Sequence, residues 1–162
     1  MVIKRYVGAL TAVGAILLSS PAPFAQTLSQ RALQEKLTSA KSLKCDFTTM
    51  VTATWNKEGV AQAEVKPSTM SLQFLKVNID EGSAEMKGDY GTYELVVKLS
   101  ESTLHFIHSF RAGALYTTTV FPKETHDGRF KAVHTRHEYV EIVLPGFTSR
   151  PEEYYGDCAV GQ

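Results

Sequence analysis

Four of this chain's five histidines stand in two pairs of identical spacing, His105-x-x-His108 and His134-x-x-His137. On a helix, that spacing sets two imidazoles on one face, which is the beginning of a zinc site. Both pairs fall in runs that alternate apolar and polar residues, where positions three apart point to opposite sides of a strand. A bulge, or a cross-strand meeting of His105 with His134 or His137, would be needed to bring two rings together. No acidic residue stands at ligand spacing nearby, so neither a metal nor a cofactor is expected.

Nucleophilic chemistry is equally thin. Ser100, Ser102 and Ser109 lie near the first histidine pair, and Glu138 and Glu141 follow His137. No serine has the Gly-x-Ser-x-Gly setting that holds a hydroxyl on a strained turn. His134, Arg136 and Glu138 share one face of a strand, which reads as a solvated charged surface. The expectation leans to a non-catalytic protein. The alternative is a hydrolytic or metal-assisted enzyme built from the strand histidines.

Binding is the reading that remains, and the middle of the chain carries it. With Ser100 and Glu101 as a hairpin loop, Tyr93, Leu95 and Val97 share a face with Leu104, Phe106, His108 and Phe110, and His108 falls opposite Tyr93. That face is apolar apart from one imidazole and one phenol. Tyr93, Phe106, His108 and Tyr116 are the candidate lining of a site for a small, largely apolar ligand. The competing reading is a core histidine satisfied by a tyrosine, inside a structural interaction protein with a filled interior.

These side chains need a frame. Thr27-Leu28-Ser29-Gln30 fits a capping box, after which Leu33, Leu37 and Ala40 recur at helical spacing and predict one amphipathic helix. From Cys45 the period is two: Cys45, Phe47, Thr49, Val51, Ala53 and Trp55 alternate with polar residues and with Met50. Further strand-like runs cover 61–65, 70–79, 83–87, 92–99, 103–110, 114–121 and 130–143. Short turn signals separate them, among them Lys66-Pro67-Ser68. Strands this close in sequence cannot be parallel neighbours, so the fold class is mainly β: an antiparallel meander of about eight strands, barrel-like or strongly curved, with one N-terminal helix. A two-sheet sandwich is the rival. From Pro145 to Gln162 the alternation fails, and an irregular tail is expected.

Lys4 and Arg5 precede an uncharged apolar stretch from Tyr6 to Leu18 that ends at Ser19-Ser20-Pro21. This is the pattern of an export signal, with cleavage expected after Ala25 and a secreted or periplasmic domain over residues 26–162. An oxidising compartment suits the two cysteines, Cys45 and Cys158, as one disulfide. Removing residues 1–25 leaves 15 basic and 17 acidic side chains, a formal charge of −2. Such a balance argues against nucleic acid, which is held mainly by a basic surface. Between Lys123 and Glu138, three histidines (His126, His134, His137) add to Lys123, Arg129, Lys131 and Arg136, so an anionic envelope component bound near pH 5 is a further expected partner.

Overall fold

The computed structural model describes residues 24–88, 91–111, 113–138 and 151–161. The export-signal reading falls on residues outside this set, except that the Ala25–Gln26 bond lies in the first helix. That helix, α1 (Phe24–Thr38), is followed by eight strands: β1 (Leu43–Trp55), β2 (Ala61–Asn78), β3 (Ser83–Gly88), β4 (Gly91–Ser100), β5 (Thr103–Ser109), β6 (Leu115–Glu124), β7 (Phe130–His137) and β8 (Glu152–Val160). Each strand pairs antiparallel with the next, and β8 returns to pair with β1, so the sheet closes into a barrel. Closure leaves no sheet edge along most of its length.

Alternation sorts the side chains. Leu43, Cys45, Phe47, Leu72, Phe74, Leu104, Phe106, Val120 and Phe130 turn inward and are buried. Phe74 and Phe106 stack with ring centroids 4.1 Å apart. Leu37 and Ala40 are also buried in this cluster, and Leu33 packs against it. The apolar stripe of α1 therefore closes one end of the barrel. Lys36 holds the helix there through Glu124 at 2.5 Å.

Four expectations change. The helix starts at Phe24, so Thr27-Leu28-Ser29-Gln30 lies within it and does not cap it. Lys66-Pro67-Ser68 is not a turn: β2 runs through it without interruption. The pairing of β1 with both neighbours slips between Phe47 and Thr49. Beyond that bulge the inward residues are Met50 and Thr52, while Trp55 is 60% exposed, which reverses the face expected for Thr49, Val51, Ala53 and Trp55. The expected irregular tail is a strand from Glu152 onward, and it is the strand that closes the barrel. The part of the last predicted run beyond Glu138 lies outside the described residues.

The β1–β8 seam has three fastenings. Cys45 and Cys158, opposite each other in register and fully buried, form the disulfide. On the outer face Arg129, just before β7, donates to Asp157 and, at 2.8 Å, to Asp46, tying the start of β7 to β8 and β1. Gly156 lies under the bulge, where a Cβ would stand 2.0 Å from the Asp46 carbonyl oxygen. Only glycine fits so close an approach of two backbones.

Candidate functional site

The end of the barrel away from α1 is lined by inward side chains of a different kind. Tyr93 comes from β4, His108 from β5, Tyr116 from β6, His134 and Arg136 from β7, and Glu152 and Tyr154 from β8, with Phe110 just past β5. Cross-strand register stacks them: His108 faces Tyr116, Tyr116 faces Arg136, and His134 faces Tyr154. Their rings form a chain, Tyr93 to His108 at 5.3 Å, His108 to Phe110 at 4.1 Å, Phe110 to Tyr116 at 4.8 Å, Tyr116 to His134 at 6.0 Å and His134 to Tyr154 at 5.9 Å. Edge-to-face contacts of this sort are the favoured geometry of aromatic pairs.

His134 is the deepest polar member, 2% exposed. Its Nδ1 shares a hydrogen bond with the Thr118 hydroxyl at 2.8 Å. Among the described residues Nε2 has no hydrogen-bond partner. The imidazole sits among the rings of Phe47, Tyr116 and Tyr154. Burial, helped by the charge of Arg136, pushes the imidazole down to about 3, so it is neutral under ordinary conditions. It therefore adds no charge near pH 5, and the expected three-histidine basic segment reduces to the exposed His126 and His137.

Arg136 lies above His134. Its guanidinium is 5.4 Å from the Tyr116 ring and 5.3 Å from the Tyr154 ring, between the two. One nitrogen reaches the sulfur of Met70 at 3.3 Å, and another stands 3.9 Å from Glu152. Each flanking tyrosine donates to a carboxylate, Tyr116 to Glu138 at 2.7 Å and Tyr154 to Glu152 at 2.5 Å. Burial first, and then that hydrogen bond, pushes the Tyr116 hydroxyl up to about 12 and raises Tyr154 for the same reasons. His134, Arg136 and Glu138 thus share a face as expected, but it is the inner face and not a solvated one.

Of the four residues expected to line a ligand site, Tyr93, His108 and Tyr116 meet at this mouth. Phe106 does not: it lies one layer deeper, 1% exposed against Phe74, as the floor of the site. The β4–β5 register differs from expectation by two residues, with Ser100 opposite Thr103 and Glu101 at a φ of 55°. A shift of two keeps every side chain on its face, so the site survives it. His108 donates to the Glu94 carbonyl at 3.0 Å and not to the Tyr93 hydroxyl. His105 turns outward to Thr119 at 3.1 Å, and His137 is exposed. Neither His-x-x-His pair therefore converges, and among the described residues no three His, Cys, Asp or Glu side chains gather as a metal set. Glu141 lies outside the described residues, and Ser109 is exposed while His108 points inward.

Sequence reasoning missed Arg136, Tyr154 and Glu152. Tyr154 and Glu152 stood in the segment read as irregular. A shallow cleft of about 270 Å³ between α1 and the loops, lined by Gln30, Arg31, Gln34, Ser102 and Pro122, gathers no comparable chemistry.

The fold and site define a closed antiparallel eight-stranded barrel with a helix at one end and an aromatic mouth at the other. Comparison with protein-family models, curated proteins and solved structures returned no match. No described helix is long and apolar enough to cross a membrane.

Proposed function

We propose that this chain is an exported, non-catalytic binding domain that takes a small, largely apolar, ring-bearing molecule at the end of its barrel away from α1. The observation that carries this reading is the layer of part-exposed rings at the mouth, Tyr93, His108, Phe110 and Tyr116, with Phe106 as its floor. The hydroxyls of Tyr116 and Tyr154 and the Nδ1 atoms of His108 and His134 already have partners within the fold. What these groups leave to a ligand is mainly ring faces, which select for apolar and aromatic surface. Arg136 acts as a spacer that holds Tyr116 and Tyr154 apart. Export rests on the charged and apolar pattern of the first 25 residues, and it suits the buried disulfide.

Titration with N-phenyl-1-naphthylamine, a neutral aromatic probe, tests the site. Saturable binding at about micromolar Kd is expected, weakened about tenfold or more by Tyr93→Ala with Phe110→Ala. Trp55→Ser, on an exposed apolar surface elsewhere, should leave it unchanged. Absence of saturable binding, or binding lost only with Trp55→Ser, overturns the proposal. Cell fractionation and the mass of the secreted chain test export: a product beginning at Gln26 supports it, and retention of residues 1–25 refutes it.

A further inference from the structure

We propose that two copies of this chain pair through the free edge of β2, antiparallel and centred on Val65. The inference is independent of the mouth. It starts from the hairpin, where the Asn56 N–H donates to the Val60 carbonyl at 3.0 Å. From there the register runs unbroken from Trp55 opposite Ala61 to Thr49 opposite Pro67. Peptide groups on a strand face alternate sides. Val60, Gln62, Glu64 and Lys66 therefore address β1, and Ala61, Ala63, Val65 and Pro67 turn theirs to the other edge. Among the described residues β2 pairs with β3 only from Gln73 onward, so this edge has no strand beside it. Residues 61–67 are all exposed, Val65 by 68%.

The sequence of the edge is complementary to itself. A twofold axis at Val65 sets Val65 against the partner's Val65, Glu64 against the partner's Lys66, Gln62 against the partner's Ser68 and Ala63 against the partner's Pro67. Glu64 and Lys66 already meet on one face of their own strand at 2.8 Å, so the four charges of the pair would gather on that face. The other face is apolar: Val51, Ala53 and Trp55 lie opposite Val65, Ala63 and Ala61, and the two Val65 side chains would join these surfaces. Other registers are poorer. Centring on Ala63 sets Glu64 against Gln62 and Lys66 against Val60, and loses both ion pairs. Centring on Glu64 keeps edge-facing peptide groups opposite one another but sets Glu64 against the partner's Glu64 and Lys66 against Gln62, so like charges oppose and both ion pairs are lost.

Pro67 fits this arrangement without helping it. Its missing N–H faces the edge, the position at which a strand tolerates proline. Pairing forgoes that donor, but the ring lies opposite the small side chain of Ala63. Each Val65 exchanges both of its bonds with its copy, and each Ala63 N–H reaches the partner's Pro67 carbonyl. A two-stranded ribbon with an exposed apolar face is marginal alone, and adding strands gives it a supporting sheet.

Sedimentation equilibrium of the full chain reads the mass directly. At about 1 mM chain, even a millimolar Kd leaves half of the chains paired, so a dimer is expected. Glu64→Lys should weaken pairing about tenfold, because it opposes two lysines twice. Adding Lys66→Glu to it should restore the wild-type value. Val65→Pro removes the central bonds while sparing the β1 ladder and should give single chains with an unchanged circular dichroism spectrum. If Val65→Pro disturbs the fold, the two charge variants decide. Single-chain mass at about 1 mM, or equal affinities for the single and double charge variants, overturns the proposal.

Discussion

Replacing Gly156 by alanine tests how tightly the barrel closes. The added Cβ would stand 2.0 Å from the Asp46 carbonyl oxygen and 2.6 Å from the Phe47 Cα. Ordinary contact begins near 3.4 Å, so β1 would have to retreat by about 1.4 Å. The clashing atoms are backbone and cannot rotate away. The Cys45–Cys158 disulfide and the Arg129 clasp on Asp46 and Asp157 hold the strand on both sides of the clash. Gly156 is not in the left-handed region. Backbone entropy alone would therefore favour alanine by about 0.5–1 kcal/mol, so the sign of the change separates packing from chain stiffness. Overpacking usually costs about 1–3 kcal/mol, and a backbone collision belongs at or above the top of that range. With a urea m-value of about 1.5 kcal/mol/M, a loss of about 3 kcal/mol lowers the unfolding midpoint by about 2 M. An unchanged or raised midpoint would refute the close approach. In a Cys45→Ala/Cys158→Ala background β1 is freer to move, and the cost of Gly156→Ala should fall by about 1 kcal/mol.

Cys158→Ser should lower stability by up to about 4–5 kcal/mol, because the bridge closes a loop with a sequence separation of 113; two titratable thiols in the denatured, unreduced protein would show that no bridge exists. Phe106→Ala should cost about 3–5 kcal/mol in denaturant unfolding, and a loss under about 1 kcal/mol would remove the Phe74–Phe106 stack from the core. The folded pKa of His134 lies below its unfolded value, so the unfolded chain binds the extra proton between about pH 6.5 and 3 and stability falls as pH drops through that window. The full loss across that window is on the order of 5 kcal/mol; unfolding curves from pH 7 to 4 that are equally steep in His134→Gln would dismiss the assignment. Arg136→Leu should weaken probe binding at the mouth, and because it strands the Glu152 carboxylate it should also lower stability, a loss that Arg136→Leu/Glu152→Gln recovers in large part; unchanged probe binding would make Arg136 a purely structural group.

Meander, helix and inner face were legible because each follows from short-range periodicity. Tyr93, Leu95 and Val97, and Leu104 and Phe106, recur at every second position, and hairpin loops allow only antiparallel neighbours. The slip at Thr48 was not legible. Threonines stand on both faces from Thr48 to Thr54, so a one-residue bulge leaves the pattern looking intact while it turns Val51, Ala53 and Trp55 outward. Pro67 suggested a turn because proline removes a ladder donor, but its nitrogen faces an edge with no described strand beside it, and no bond to β1 is lost. β8 was hidden because Gly156 reads as a breaker. Its glycine is required by the β1 backbone, a contact across more than a hundred residues that no local window contains. Arg136 was placed in solvent because charge normally marks the outer face, and a sequence cannot show two tyrosine rings from neighbouring strands closing around it.

The two ends of the barrel are built for different work. At the α1 end, leucine and phenylalanine side chains fill the space, and the polar atoms lie outside the seam. At the mouth, the same inward positions carry one arginine and two glutamates, Arg136 against Glu138 and Glu152, beside a neutral histidine. A half-buried guanidinium gives up hydration and recovers part of it from two ring faces and a carboxylate at 3.9 Å. Apolar residues of similar volume in place of both Arg136 and Glu152 would fill the space with comparable or better stability. Stability alone therefore does not account for Arg136 there. Its geometric effect does: the guanidinium fills the slot between Tyr116 and Tyr154 and fixes their separation, while Glu138 and Glu152 fix their hydroxyls. Rings held apart and tied down at their polar ends present faces that do not collapse on one another, which is the preorganisation that a weakly polar ligand requires.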